Sequence, residues 1–207
     1  LISWRCLVAD GLGSSPAKVI GQAQVWIPPE AHSEAKLSSV HVQQHGSIIV
    51  CGGITSGGIC QQGCHQLIGS TWSQITTDVD STSPSTLCRF NSNMVLYRSR
   101  SGSWILLWVG GGQEGNYLTS TARSFDLGLT WETIPHYDTW ADRTFTPLWV
   151  LGSTLYFGMG GKFRTDPSAG LYTSNDDGQS WTALSTSFPT SPIAMARVLV
   201  LPGLLFV

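Results

Sequence analysis

Three arginines stand 54 residues apart, at Arg89, Arg143 and Arg197. A set of guanidinium groups is what a site for a carboxylate-bearing ligand requires, because each can grip two carboxylate oxygens at once. Arg143 also closes the run HYDTWADR, which gathers His136, Asp138, Trp140 and Asp142 within eight residues. That run offers an imidazole, two carboxylates for proton transfer and an indole on which a sugar ring can stack. These seven residues form the candidate ligand face. A plainer reading of the run is a polar loop between strands with a local Asp–Arg pair, and that reading is preferred. Loops of this kind are also where binding groups concentrate. The chain has only four glutamates, Glu30, Glu34, Glu114 and Glu132, so no complete acid–base set emerges and no catalytic residue is assigned.

The five cysteines, at 6, 51, 60, 64 and 88, exceed what a reducing compartment favours and point to oxidising surroundings. Cys51, Cys60, Cys64 and Cys88 are candidate disulfide partners with their pairing open, and an odd count leaves one thiol over. CQQGCH also reads as a metal knuckle using Cys60, Cys64 and His65, but no second ligand pair lies at suitable spacing. No metal and no cofactor are expected. GGGQEGNY and FGMGGKF resemble phosphate-cradling loops in composition only, since neither leads into a helix.

Charged residues make up 12% of the 207 and the formal net charge is −2. Nothing here supplies the basic field that nucleic acid or an anionic membrane would need. The apolar C-terminal run VLVLPGLLFV is ten residues long and broken by Pro-Gly, too short to span a bilayer. No Asn-x-Ser/Thr acceptor is present. Solubility rests on Ser, Thr, Gln and 23 glycines, as in extracellular β proteins.

The elements that must carry these groups follow from a repeat. GSIIVCGG ends at Gly53, SWILLWVGGG at Gly112 and GSTLYFGMGG at Gly161, and a tryptophan follows each after nineteen or twenty residues, at Trp72, Trp131 and Trp181. WSQI, WETI and WTAL then alternate as a strand with one buried face does. Further strands are read before each glycine run, in SSVHV (38–42), TFTPLWV (144–150) and MARVLVL (195–201), and between glycines and tryptophan, in TARSF and GLYTS. Four short antiparallel strands per unit, with no helical period, describe the blade of a β-propeller.

SFDLGLTW (124–131) and SNDDGQSW (174–181) share Ser-x-Asp-x-Gly-x-Ser/Thr-Trp. The motif resembles the Asp-box of sialidase-type propellers, and the Gly-Gly then Trp rhythm is similar to kelch repeats. The resemblance covers about residues 38–207. It implies a structural turn on the outer rim built from Ser124, Asp126, Gly128, Thr130, Trp131 and Ser174, Asp176, Gly178, Ser180, Trp181. Asp accepts backbone N–H groups there, Gly takes positive φ and Trp wedges between sheets. The first unit keeps Gly69, Thr71 and Trp72 but has His65 and Leu67 where Ser and Asp belong, so its turn must be held otherwise. The Phe/Tyr-Arg-Ile-Pro signature of sialidases is missing.

The expected fold is therefore an all-β propeller of four-stranded antiparallel blades, about four blade equivalents of a larger ring. Residues 1–37 are read as the end of a preceding blade, with Trp26 (or Trp4) on its final strand, and a connecting loop. Three blades follow at 38–78, 79–137 (with a longer loop) and 138–187, and 188–207 begin another. The expected function is a noncatalytic extracellular or cell-surface module for protein–protein interaction or structural assembly. A glycan-binding, lectin-like propeller is the alternative, and a sialidase-like glycosidase the third reading. Partners are other protein subunits or glycans.

Overall fold

The computed structural model describes residues 19–20, 23–34, 46–55, 57–60, 63–76, 88–113, 116–118, 120–136, 144, 146–158, 161–162, 166–167, 170–185, 199–201 and 204–206. Within them the chain forms three four-stranded antiparallel sheets and one helix of six residues. The first sheet contains Ala23–Ile27, Ser47–Cys51, Cys64–Ile68 and Thr71–Thr76. The second contains Asn93–Arg98, Trp104–Val109, Ser120–Ser124 and Glu132–Pro135. The third contains Leu148–Leu151, Thr154–Gly158, Leu171–Ser174 and Thr182–Ser185. In every one of these sheets the strands lie side by side in chain order.

Each expected glycine run follows or ends the second strand of its sheet, and the motif tryptophans stand at the start of the fourth, Trp72 as its second residue and Trp131 and Trp181 just before it. The glycines do so because the backbone must turn sharply there. Gly52 and Gly53 have φ of 65° and 97°, and Gly110 and Gly111 repeat this at 66° and 101°, a region that costs L side chains energy. The equivalent pair in the second sheet is thus Gly110–Gly111, while Gly112 already belongs to a short ladder with Tyr117. A comparable two-residue ladder, Gly161–Lys162 with Asp166–Pro167, stands at the same point of the third sheet. The glycine-rich runs that resemble phosphate loops are these small hairpins.

The first strand of the first sheet corrects the sequence reading. Spacing assigns Trp26 to the last strand of a preceding blade. It lies instead opposite Ile48, on the strand Ala23–Ile27 that pairs with Ser47–Cys51, so the first sheet begins at Ala23. Residues 38–42, where spacing puts that strand, lie outside the described residues. The long connection between Ile27 and Ser47 hides the pairing, because in the other two sheets the corresponding strands are joined by short turns. Its helix, Pro29–Glu34, also departs from the expectation of no helix. Pro29 begins it, where a proline's missing N–H is not needed, and Glu30 sits in the first turn.

The sheets pack face to face. Leu106 and Trp108 of the second sheet face the first, meeting Ile49, Cys51 and Ile75, whereas Ile105, Leu107 and Val109 face the third, meeting Leu155, Phe157 and Tyr172. Successive side chains of one strand point to opposite faces, so a strand covered on both sides must be apolar throughout, as WILLWV is. Trp131 meets Trp108 edge-on at 5.6 Å between ring centres, and Trp181 meets Phe157 at the same separation.

Candidate functional site

Two kinds of residue compete for a functional role: those of the repeated turns and those expected on a ligand face. In the turn SFDLGLTW the Ser124 hydroxyl donates to Asp126 Oδ1 at 2.7 Å and accepts from the Gly128 N–H at 2.7 Å. Asp126 also accepts from the Thr130 N–H at 2.9 Å and the Thr130 hydroxyl at 2.6 Å. The Trp131 indole N–H donates to the Gly128 carbonyl at 3.1 Å. SNDDGQSW repeats the pattern: Ser174 donates to Asp176 at 2.7 Å, the Gly178 N–H donates to Ser174 at 3.0 Å, and Ser180 donates to Asp176 through both its N–H and its hydroxyl.

Such bonding needs two consecutive left-handed residues. Leu127 and Gly128 have φ of 57° and 92°, Asp177 and Gly178 of 59° and 78°. Asp tolerates that region and Leu does not. Leu127 holds it because its side chain is 2% exposed in the core between the first and second sheets. Burial of Asp176 would raise its pKa, but the hydrogen bonds from Ser180 and Ser174 outweigh this and hold it below the ordinary carboxylate range. In the first sheet no acid is needed. Gly69, at φ 60°, and Ser70 form a two-residue connection closed by the pair Ile68 and Thr71.

The second turn is also fastened sideways to the neighbouring sheet. Tyr97 of the second sheet donates its hydroxyl to Asp177 Oδ1 at 2.9 Å. Arg123, 8% exposed, donates to both oxygens of Glu132 at 2.9 and 3.2 Å and to the Asp177 carbonyl at 3.4 Å. With its amide turned so that the oxygen faces the guanidinium, Gln179 accepts from the same group at 3.1 and 3.2 Å. Arg100 donates to Asn175 at 2.9 Å. Burial, then the adjacent Asp177, pushes the Tyr97 phenol far above its usual value, which keeps the hydroxyl protonated as a donor. Sequence reasoning misses Tyr97 and Arg123, because nothing in NMVLYR or STARS marks which polar side chain is buried against the next sheet.

Arg89, read from spacing as a ligand-face residue, lies inside the fold. Its side chain is fully buried and donates to the Gly110 carbonyl at 3.2 Å, the Ser120 carbonyl at 2.8 Å and the Ser120 hydroxyl at 2.8 Å. The guanidinium lies 5.5 Å from the centre of the Trp108 ring, a favourable cation–π placement. Burial lowers its pKa to about 9. Its own carbonyl accepts from the Gly53 N–H at 2.7 Å, which joins the glycine corner of the first sheet to the second. A methyl group on Gly52 would come within 2.3 Å of that carbonyl. His136 lies nearby, with Nε2 at 2.8 Å from the Thr121 hydroxyl. Burial lowers its pKa, Asp176 pulls it up and Arg89 presses it down again. Asp138, Trp140, Asp142, Arg143 and Arg197 lie outside the described residues.

The cysteines pair as Cys51–Cys64, across neighbouring strands of the first sheet, and Cys60–Cys88, which ties the loop after its second strand to the start of the second sheet. Disulfide sulfurs are not thiolate ligands, so the zinc reading of Cys60 and Cys64 falls. Cys6 lies outside the described residues. A further polar cluster is not visible in the sequence. His32 Nε2 stands 2.9 Å from the Ser47 hydroxyl, which also accepts from the Gln66 amide at 2.9 Å. This Ser–His contact matches a nucleophile and its base in residue type alone. Both residues are buried and the third partner is an amide, so the trio binds the helix to the sheet.

No protein-family model matches the chain, and no curated protein matches it. Among the described residues no group of three His, Cys, Asp or Glu side chains is arranged to hold a metal. No helix of the described residues is long and apolar enough to cross a membrane.

Proposed function

We propose that the three sheets are successive blades of a β-propeller carrying Asp-box turns, and that the protein is a noncatalytic extracellular or cell-surface platform for interaction or assembly. The observation that carries this reading is the fate of Arg89, Tyr97 and Arg123. Each has the chemistry of a substrate-binding or catalytic group, and each is used up in hydrogen bonds within or between sheets. The shared strand order, the face-to-face packing and the first strand of the second sheet lying beside the first strands of both neighbours support the propeller. Two disulfides, one of them between sheets, suit an oxidising compartment. A rigid stack presents loops in fixed relation, which is what a binding scaffold requires.

Incubation with a fluorogenic sialoside, together with a glycan array, tests the function. Neither turnover nor glycan binding is expected. Turnover would overturn the noncatalytic assignment, and array binding without turnover would replace the protein-interaction reading by the lectin-like one.

A further inference from the structure

The connection between the first and second strands of the first sheet is longer than the architecture demands. The second and third sheets make the same step between Arg98 and Trp104 and between Leu151 and Thr154, whereas here it runs from Ile27 to Ser47 and includes a helix. That helix is held by a titratable side chain. Ala31 and His32 are both fully buried, Ala31 in the apolar cluster shared by the first and second sheets, while His32 reaches Ser47 and, through it, Gln66.

We propose that helix Pro29–Glu34 is an acid-released latch, docked between the first two sheets only while the His32 imidazole is uncharged. Neutral imidazole fits whichever nitrogen carries the proton, because the Ser47 oxygen can either accept from Nε2 or donate to it. Imidazolium does not fit. It carries N–H groups on both nitrogens, and Nδ1 is buried without a hydrogen-bond partner among the described residues. The side chains described as bonded to it or to its partner carry no counter-charge. Ser47 and Gln66 are neutral, and His65, next to Gln66 on its strand, points to the opposite face of the sheet. From the second sheet, Met94 and Leu96 are apolar, and Arg98 on the same face is itself cationic and lies over Trp104, 5.1 Å from its ring centre. On the helix, Glu30 lies two positions before His32, on a different side. A buried unpaired charge is relieved by losing the proton or by leaving the site. Burial lowers the His32 pKa, in agreement. A histidine whose folded pKa is depressed costs nothing above its unfolded pKa and favours opening as pH falls below it.

The wild-type protein provides the test, by NMR titration of the His32 ring and by amide exchange of residues 29–34 corrected for the intrinsic pH effect. His32 is expected to titrate below the ordinary imidazole range. The helix opening constant is expected to rise by up to about tenfold per pH unit below about 6.5, while amides of the second and third sheets stay protected. In His32→Gln that rise is expected to vanish. Ordinary titration of His32 with unchanged protection of 29–34 overturns the proposal. So does opening of the helix only together with the second sheet. The titration needs no variant, so it decides even if His32→Gln does not fold.

Discussion

Asp176 accepts three hydrogen bonds from the turn it organises, and Asp126 does the same fifty residues earlier. Bonds to a charged group contribute about 1.5–3 kcal/mol each when buried, and less when solvent reaches them. Asp176 is exposed at the loop surface. Asp126→Ala and Asp176→Ala are each expected to lower stability by about 1–2 kcal/mol, read as a lower urea midpoint with unchanged slope. Acid acts on Asp176 in the same direction. Its pKa is depressed in the folded chain, so its contribution is complete above the unfolded value of about 3.9 and disappears as pH falls below that. The Asp176→Ala variant should therefore show a flatter loss of stability below pH ~4 than the parent chain. At this scale the motif itself is readable, because Ser, Asp, Gly and Trp recur at fixed spacing. The left-handed backbone of Leu127 is not. Nothing local marks a leucine for that conformation, which the core imposes on it from outside the turn.

The sheets are joined in different ways along the chain. Between the first and second lie a disulfide, the Gly53-to-Arg89 backbone bond and an apolar cluster, and between the second and third an apolar cluster and the polar clasp around Asp177. Cys60 and Cys88 are 28 residues apart in sequence, and closing a loop of that length contributes about 3–4 kcal/mol in the chain-entropy account. Replacing both by Ser is expected to lower stability by about 3–4 kcal/mol. Amide exchange should rise first where the first sheet meets the second. Peptide mapping without reductant should recover Cys51 with Cys64 and Cys60 with Cys88. Any other pairing of these four would refute the placement of the 52–63 loop. Glycines and tryptophans make the second, third and fourth strands readable, since a corner needs φ above zero and a wedge needs a large ring. The first strand of the first sheet is misplaced by such reasoning because strand order is not written in spacing. Trp26 lies at nearly one repeat length before Trp72, yet it pairs with Ile48, across a connection that neither of the other two sheets contains.

For the molecule as a whole, linear spacing suggests a ring of arginines, and packing gives Arg89 another task. It precedes its strand and folds back into the sheet, where two carbonyls and a hydroxyl converge on it over the face of Trp108. Sequence shows that an arginine is present, not whether water or protein surrounds it. The most direct measurement of the claim that these polar groups hold sheets together is the thermal and urea stability of Arg89→Met, a change that keeps apolar bulk but removes every donor. Leaving the Gly110 and Ser120 carbonyls buried without their partner is expected to cost about 3 kcal/mol or more, with a matching fall in both midpoints. An Arg89→Met protein as stable as the parent would contradict the account and return Arg89 to the ligand face.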